Sequence, residues 1–444
     1  MPVTDQVRKG QRKSMRVLHV NPRYYPYIGG SEIYCQEVSE RLARDGHTVT
    51  VFTTDAWDLE YFWHPARKHL ATGKEPHNGV EVERFAVKHL LSNRFSYGAL
   101  RYLMRILASL PVDARPVLFR LCPYLPWVPD LSQRLSRGPA SYDIVHVMNI
   151  TFDSMVYAAY RFARRCGIPW VITPFVHLGE PDDAEVRQYY TMPHQIAMMR
   201  NSDRVITQTD LEGDYLRSHG IPADRICKIG VGITPQDLLG GWGNRFREKY
   251  RLHMPLVFYI GMQAYDKGTI HLIQAMAQLW EQGNEADLVL AGPAMSEVQN
   301  HLLALPQAIR ERCHFLGFIS EEDKRDLLDA GDVFVMPSRT DSFGIVYLEA
   351  WLYRKPVVGA LAGGVPEVIR DNEEGYLVPF GNVPRLREAI GMLLADPDKA
   401  RRFGEKGYQK AIAHTWDSKY AAIKAVYEGL TSQEHRSGVD CQAQ

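Results

Sequence analysis

The chain has 444 residues, which is too long for one ordinary hydrophobic core, so two domains are expected. Hydrophobic residues make up 45% and charged residues 23% of the chain, as is typical of a soluble globular protein. Lys plus Arg and Asp plus Glu both total 52, and this balance argues against nucleic acid as the main partner.

Short apolar runs alternate with longer helical stretches almost throughout the chain, and this rhythm predicts an α/β fold with parallel sheets. The strands are predicted at 16–21, 48–52, 143–148, 170–173 and 204–207 in the first half, and at 256–261, 287–291, 332–336, 356–359 and 375–378 in the second. The first apolar run, at 17–20, is too short for a signal peptide or a membrane span. The six cysteines are scattered without a CxxC pair, which favours free thiols in a reducing compartment. We therefore expect a cytoplasmic protein.

The turn after the first strand contains two adjacent glycines, Gly29 and Gly30, at the predicted start of a helix. It lacks the GxGxxG spacing of dinucleotide-dependent oxidoreductases. The backbone N–H groups of a helix start can receive an anion, because they lie at the positive end of the helix dipole. Glycines alone are a weak signal, since turns also use them for positive φ.

The segment 90–140 departs from this rhythm and contains seven arginines against two aspartates. Its apolar residues recur at helical spacing: Leu100, Leu103, Met104, Leu107 and Leu110. Arg101 and Arg105 lie one turn apart near this stripe. Two interpretations are open. The segment is either an irregular insertion with a solvated basic edge, or a membrane-surface or anionic-acceptor site where arginines meet phosphates.

His177 lies just past the predicted strand 170–173, in the sequence TPFVH. A single histidine is usually structural, but one at the carboxyl end of a strand, facing a cleft, is better placed for a functional role. The stretch 234–255 mixes Gly, Pro, Asn and charged residues and separates two βα series. We therefore place the domain boundary near its start.

Two further loops follow strands of the second half. Gly261 ends one strand and Lys267 opens the next helix, where a lysine can neutralise charge growing on a departing phosphate. Alone, Lys267 would be read as a solvated lysine. The sequence GGVPE at 363–367 follows another strand on the same carboxyl edge, where open α/β sheets bind ligands.

The strongest signal is the sequence SRTDSFGIVYLE at 338–349, which follows a strand and opens a helix. Gly344 lets a ligand approach the backbone, and the helix start suits a diphosphate. Glu349 is roughly 7–8 Å further along the helix axis, which suits a carboxylate that receives ribose hydroxyls. Asp341 precedes the helix and could receive hydroxyls of a sugar on the far side of the phosphates. In isolation, the two acids would be read as an N-cap region and a surface Glu.

In combination and in this order, these motifs resemble the family 4 retaining glycosyltransferases of the GT-B fold, over nearly the whole chain. The matching pieces are the Gly29-Gly30 loop, the TPxxH strand end, Gly261 with Lys267-Gly268, the acid-x7-Glu pair, GGVPE at 363–367 and NEEGYLV at 372–378. The resemblance implies two Rossmann-like domains facing a central cleft. It places the acceptor-side domain at 1–235, the nucleotide-sugar-binding domain at 236–412 and a helix returning to the first domain at 413–430.

The resemblance also implies the roles of individual residues. Glu349 would bind the ribose, Lys267 the diphosphate, and His177 the donor sugar. Asp341, with the backbone around Phe343 and Gly344, would hold sugar and diphosphate. We therefore assign catalytic roles to His177, Lys267 and Asp341, and donor binding to Gly29, Gly30, Gly261, Lys267, Asp341, Ser342, Phe343, Gly344 and Glu349.

The sequence departs from the family pattern at two places. Asp341 stands where the family usually has Glu, and the shorter side chain keeps the charge. Met262 stands where similar proteins often have Arg or Lys, which leaves Lys267 with less cationic help. Arg339 is one candidate to replace the missing cation.

The predicted function is retaining transfer of a hexose from a UDP- or GDP-linked sugar to a hydroxyl of a glycan or lipid-linked acceptor, as in polysaccharide biosynthesis. No DxD pair follows a strand at a plausible metal site, so neither a metal nor another cofactor is expected. The expected partners are the nucleotide sugar and the acceptor, without nucleic acid. Peripheral contact with the inner face of the membrane through 90–140 is a further hypothesis. The alternatives are a GT-B nucleotide-sugar epimerase and a non-catalytic nucleotide-sugar-binding subunit.

Overall fold

The computed structural model describes residues 14–89, 94–139 and 141–432. The two ends of the predicted segment 90–140 and the start of the predicted first domain therefore lie outside the described residues. Two sheets, each surrounded by helices, form the framework. The predicted α/β fold with two Rossmann-like domains is confirmed.

The first sheet has eight strands in the order β3-β4-β2-β1-β5-β6-β7-β8. They are β1 Arg16–Val20, β2 Thr48–Thr54, β3 Gly73–His77, β4 Val80–Phe85, β5 Ile144–Met148, β6 Trp170–Thr173, β7 Arg204–Thr207 and β8 Ile226–Lys228. The pairing is parallel except between β3 and β4. The helices of this half are α1 Gly30–Arg44, α2 Arg94–Ser109, α3 Arg115–Leu121, α4 Pro129–Arg137, α5 Asp153–Cys166, α6 Pro193–Arg200, α7 Asp210–Ser218 and α8 Pro235–Leu238.

The second sheet has six parallel strands in the order β11-β10-β9-β12-β13-β14. They are β9 Leu256–Ile260, β10 Asp287–Ala291, β11 Cys313–Gly317, β12 Val333–Met336, β13 Val357–Ala360 and β14 Gly375–Val378. The helices are α9 Gly243–Tyr250, α10 Thr269–Glu281, α11 Ser296–Ala304, α12 Gln307–Arg310, α13 Glu321–Ala330, α14 Ile345–Leu352, α15 Val365–Val368, α16 Val383–Ala395, α17 Pro397–Ala413 and α18 Trp416–Thr431. The predicted domain limit at 235/236 falls between the two sheets and stays a prediction.

The strand orders fix where a ligand can bind. In each sheet the direction in which successive strands are added reverses beside the first strand of the domain, between the parallel neighbours β1 and β5 and between β9 and β12. Such a switch point opens a crevice at the carboxyl ends of the strands. Strands β5 and β9 are buried along their whole length, which explains their continuous apolar sequences.

The last helix, α18, returns to the first domain and packs on α1, as predicted. The Tyr420 hydroxyl donates a 2.6 Å hydrogen bond to Asp45 Oδ2 at the end of α1. Deeper in the interface the Tyr427 hydroxyl lies between two buried histidines, His19 and His146. The helix therefore connects the end of the second domain to the core of the first.

The basic segment is not an irregular insertion but three helices, α2 to α4, with a small core of their own around Met104, Leu118 and Cys122. Arg101 and Arg105 do not lie on a solvated edge. Both are half-buried, and both guanidinium groups lie over the ring of Tyr189, at 5.1 and 5.9 Å from its centroid. Among the helices of the described ranges, none is both long and apolar enough to cross a bilayer.

Candidate functional site

Loops at the carboxyl ends of strands from both sheets meet in a cleft between the domains. His177 lies in the loop after β6, Lys267 in the turn between β9 and α10, and Asp341 in the loop between β12 and α14. The Lys267 ammonium is 3.0 Å from Asp341 Oδ1. His177 is close enough to both residues for its pKa to depend on them. The three residues with predicted catalytic roles therefore come together from two domains.

His177 is held neutral. Burial, and after it the positive charge of Lys267, lowers the pKa of His177 to about 3, while Asp341 acts in the opposite direction. The Nδ1 atom shares a 2.7 Å hydrogen bond with the hydroxyl of Tyr190. Because this bond occupies Nδ1, the Nε2 atom is the one left to bind a ligand. Sequence reasoning missed Tyr190, since nothing in its spacing marks it.

Two carboxylate oxygens of the site are buried and have no hydrogen-bond partner among the described residues. They are Asp341 Oδ2 and Glu349 Oε2. Most buried polar atoms of native proteins have a hydrogen-bond partner. A hydroxyl group of a ligand is a donor that would supply these two oxygens with one. The two acids of the SRTDSFGIVYLE sequence therefore each have one acceptor oxygen without a partner in the described part of the chain.

Glu349 uses its other oxygen to bind a lysine that the sequence did not suggest. Its Oε1 atom is 2.8 Å from Nζ of Lys324, and both side chains are almost fully buried. Lys324 lies in α13, directly after three acidic residues, where sequence alone indicates a solvated helix face. The pair fixes Glu349 in the second turn of α14 and orients its carboxylate.

The loop before α14 ends in a glycine, Gly344, whose backbone conformation other residues rarely adopt. Gly344 has φ of 90°, and a Cβ at this position would lie 2.5 Å from the ring of Tyr347. Glycine is therefore required at the start of α14, where the first backbone N–H groups of the helix have no partner within the helix. Such N–H groups favour anions.

The remaining predicted residues of this loop have structural contacts. Phe343 is buried, and its ring lies 6.1 Å from that of His414. The backbone of Gly363 and Gly364 packs directly under the loop, since a Cβ on Gly364 would meet the carbonyl oxygen of Ser342 at 2.1 Å. The Gly364 N–H donates to the carbonyl of Asp341 at 2.8 Å. The GGVPE sequence therefore supports the loop from below.

Gly29 and Gly30 lie at the start of α1, as predicted. A Cβ on Gly29 would lie 2.5 Å from Oε2 of Glu32, whereas a Cβ on Gly30 would meet nothing within 4 Å. The Glu32 carboxylate is buried and bound to Arg23 at 2.9 Å. The helix start therefore has open space at Gly30, and the nearby acid Glu32 is neutralised by Arg23.

A cavity of about 370 Å³ occupies one side of the cleft. The first domain contributes Tyr27, Asp58, Leu59, Glu60 and Arg67, and the second domain contributes residues of the β9, β10 and β11 ends, including Met262, Gln263, Gly292, Pro293 and Phe318. Met262 follows Gly261 directly, so this part of the predicted site borders the cavity. His177, Lys267 and Asp341 are not part of its lining.

Arg339, the candidate to replace the cation missing at Met262, is bound by carboxylates of both domains. Its Nε atom is 2.8 Å from Asp266, and its NH1 atom is 3.4 Å from Glu180 in the first domain. The Arg339 guanidinium therefore connects the two domains, and Lys267 is the cation paired with Asp341.

Two family models match most of the chain. Residues 29–232 match the model described as "Glycosyl transferase 4-like domain", and residues 243–410 match "Glycosyl transferases group 1". The first range contains strands β2 to β8, and the second contains strands β9 to β14.

Individual proteins show the same similarity. The D-inositol 3-phosphate glycosyltransferase of Streptomyces scabiei is 24% identical over 451 residues, which is 97% of this chain and 93% of that protein. The α-D-kanosaminyltransferase of Streptomyces kanamyceticus is 31% identical over 212 residues, 47% of this chain and 55% of that protein. The solved structure of Anabaena HepE in complex with UDP-glucose covers 94% of this chain and 100% of its own, with a TM-score of 0.69 at 18% identity.

Proposed function

This chain belongs to the family 4 glycosyltransferases of the GT-B fold, and we propose that it transfers a hexose from a UDP- or GDP-linked sugar to a hydroxyl of a glycan or lipid-linked acceptor, with retention of configuration. The observation that supports the proposal is the pair of buried carboxylate oxygens without a hydrogen-bond partner in the described ranges, Asp341 Oδ2 before α14 and Glu349 Oε2 within it. A nucleotide sugar has hydroxyls at both ends and a diphosphate between them. HepE, which shares the fold, was solved with UDP-glucose.

In this mechanism the donor diphosphate lies at the start of α14 beside Lys267. The lysine and the helix N–H groups stabilise the charge that develops as the nucleoside diphosphate leaves. The neutral His177 holds a hydroxyl of the donor sugar through Nε2. The acceptor hydroxyl attacks from the side of the leaving group, and a donor phosphate oxygen takes its proton. The C1–O bond to the phosphate breaks and the new glycosidic bond forms on the same face.

A thermal-shift screen tests the donor assignment. We expect UDP or GDP, or their hexose conjugates, to raise the melting temperature with EDTA present, because a ligand that binds only the folded state stabilises it. ADP serves as the comparison nucleotide. A rise that depends on added divalent metal would refute metal independence. No rise with any nucleotide would favour a non-catalytic subunit.

We also propose that the outer surface of α2 and α3 contacts a membrane. Six large apolar side chains are exposed within 16 positions along α2, α3 and the connection between them, namely Tyr102, Leu103, Ile106, Leu110, Val112 and Val117. Exposed arginines, Arg115 and Arg120, accompany them. An apolar helix face beside cations is typical of a surface that enters the interface of an anionic bilayer.

Vesicle flotation tests the membrane contact. The wild-type protein should float with phosphatidylcholine–phosphatidylglycerol vesicles, and Leu103→Glu combined with Ile106→Glu should abolish flotation. Leu303→Glu is the matched control, because Leu303 is 76% exposed on α11 in the other domain. Equal flotation of the double variant and the wild type, or no flotation of the wild type, would refute the contact.

A further inference from the structure

The inner side of α2 carries two cations that the donor site does not use. Arg101 and Arg105 are both half-buried, and no carboxylate in the described ranges lies within ion-pair distance of either. Two arginines of the neighbouring helices α3 and α4 are paired by contrast: Arg115 with Asp113 at 2.7 Å, and Arg134 with Glu83 at 3.6 Å. A partly buried cation that forms no ion pair can bind the anion of a ligand without first giving up a partner.

The contacts of Arg101 are with neutral groups. Its NH1 atom donates to the carbonyl oxygen of Thr151 at 3.2 Å, and its guanidinium lies over the ring of Tyr189. Burial disfavours the charge, but Tyr97 and Asp153 more than compensate, so the pKa of Arg101 is raised. The carboxylate of Asp153 is itself bonded to His194 and Gln195. Arg101 therefore stays charged, and its nearest acid is already occupied.

Arg101 and Arg105 lie near the loops that carry and hold His177. Thr151 lies in the loop after β5, and β5 is the neighbour of β6, whose loop carries His177. Tyr189 precedes Tyr190, and the Tyr190 hydroxyl is 2.7 Å from Nδ1 of His177. Arg101 and Arg105 therefore flank the residues that hold His177, on the first-domain side of the cleft. That side faces the donor loops of the second domain.

We propose that the acceptor of this enzyme carries a phosphate group, which Arg101 and Arg105 bind together. This inference rests on the proposed function and adds the chemical class of the acceptor. Two guanidinium groups one helical turn apart suit the several oxygens of a phosphate, which accept charge-assisted hydrogen bonds. The phosphate can belong to a soluble sugar phosphate or to a lipid.

The test uses the full chain saturated with UDP, so that the diphosphate site is filled. Binding of glucose 6-phosphate, of dihexanoyl phosphatidic acid and of neutral glucose is measured by calorimetry. We expect at least one of the two phosphates to bind and glucose not to bind. Arg101→Gln and Arg105→Gln should each weaken phosphate binding by about tenfold, as expected for loss of one charge-assisted hydrogen bond. The ion-paired Arg115→Gln on the same surface is the matched control and should bind as the wild type does.

The outcomes separate the two proposals. A normal UDP shift in the variants shows that they are folded and that the donor site is intact. Binding of only the lipid phosphate assigns the acceptor to a lipid, and binding of the sugar phosphate assigns it to a soluble or head-group phosphate. If neither phosphate binds, or if both arginine variants bind like the wild type, the anionic acceptor is refuted. If UDP itself does not bind, the proposed function fails instead.

Discussion

At the scale of single residues, kinetics can separate the two proposed roles, ribose binding by Glu349 and stabilisation of the diphosphate charge by Lys267. Glu349 presents Oε2 where we expect ribose hydroxyls, so Glu349→Ala should mainly raise the donor KM. Lys267 lies beside the diphosphate position, so Lys267→Ala should mainly lower kcat, because charge grows there as the bond breaks. Steady-state kinetics against donor concentration measure both. Unchanged parameters in the two variants would refute both roles.

Lys324 offers a second residue-scale prediction. It is only 12% exposed and its partner Glu349 only 5%, so removing one partner leaves a buried charge unpaired. Lys324→Gln should lower the free energy of unfolding by about 3–5 kcal/mol and raise the donor KM as Glu349 loses its orientation. Denaturant unfolding and donor titration measure the two effects.

The matched control is Lys249→Gln. Lys249 is 50% exposed and is bound to Asp323, which lies in α13 beside Lys324. Solvent-exposed pairs contribute about 0–1 kcal/mol, so this variant should stay close to the wild type. If Lys324→Gln behaves like the control in both measurements, Lys324 does not position Glu349.

Some residues of the site could be predicted from the sequence, and others could not. His177, Lys267, Asp341 and Glu349 stand at fixed offsets from strands, and loops at the carboxyl edge of parallel strands must converge. Lys324 and Tyr190 have no such offset. They reach the site through the packing of α13 and of the loop before α6, and packing of that kind depends on tertiary contacts that single-sequence patterns do not contain.

At the scale of elements, all ten predicted strands are present, with ends that differ by at most two residues. The sequence prediction omits four strands, β3, β4, β8 and β11. Three of them lie at sheet edges, and β3 is exposed along nearly its whole length and contains a proline. Strands of this kind lack the continuous apolar run that marks a buried parallel strand.

The returning helix α18 gives an element-scale prediction on pH. Its Tyr427 hydroxyl is bound by His19 and His146, and burial lowers the pKa of His19 to about 3. The pKa of His146 is lowered by burial and then by His19. A histidine whose folded pKa lies below its unfolded value of about 6.5 stabilises the fold above that pH. Stability should therefore fall as the pH drops below about 6.5.

Thermal melts at pH 7.5 and pH 5 measure this effect. His19→Asn should lose part of the pH dependence, because one buried titrating group is gone. His253→Asn is the control, since His253 is exposed on the other domain. A pH dependence that is identical in both variants and the wild type would mean that other groups set the acid stability.

At the scale of the whole molecule, the two domains touch on both sides of the cleft. On one side Glu367 is 2.6 Å from Lys228 and accepts from the backbone N–H of Leu211. On the other side Glu60 accepts a 2.8 Å hydrogen bond from the hydroxyl of Ser296. Glu367 and Glu60 therefore each connect the two domains beside the site. These contacts favour a closed arrangement, in which the two domains stay together around the cleft.

Glu367→Gln should weaken this closed arrangement without touching the donor loops. Lys228 is 45% exposed, so the loss should be modest, about 0.2–1 kcal/mol, which corresponds to a rise in donor KM of up to about fivefold. Small-angle scattering should show a smaller decrease in radius of gyration when the donor is added. Glu373→Gln, which removes an exposed pair within the second domain, is the control. Equal donor KM and equal compaction in the two variants would show that Glu367 does not couple the lobes, because an ion pair within one domain cannot report on closure.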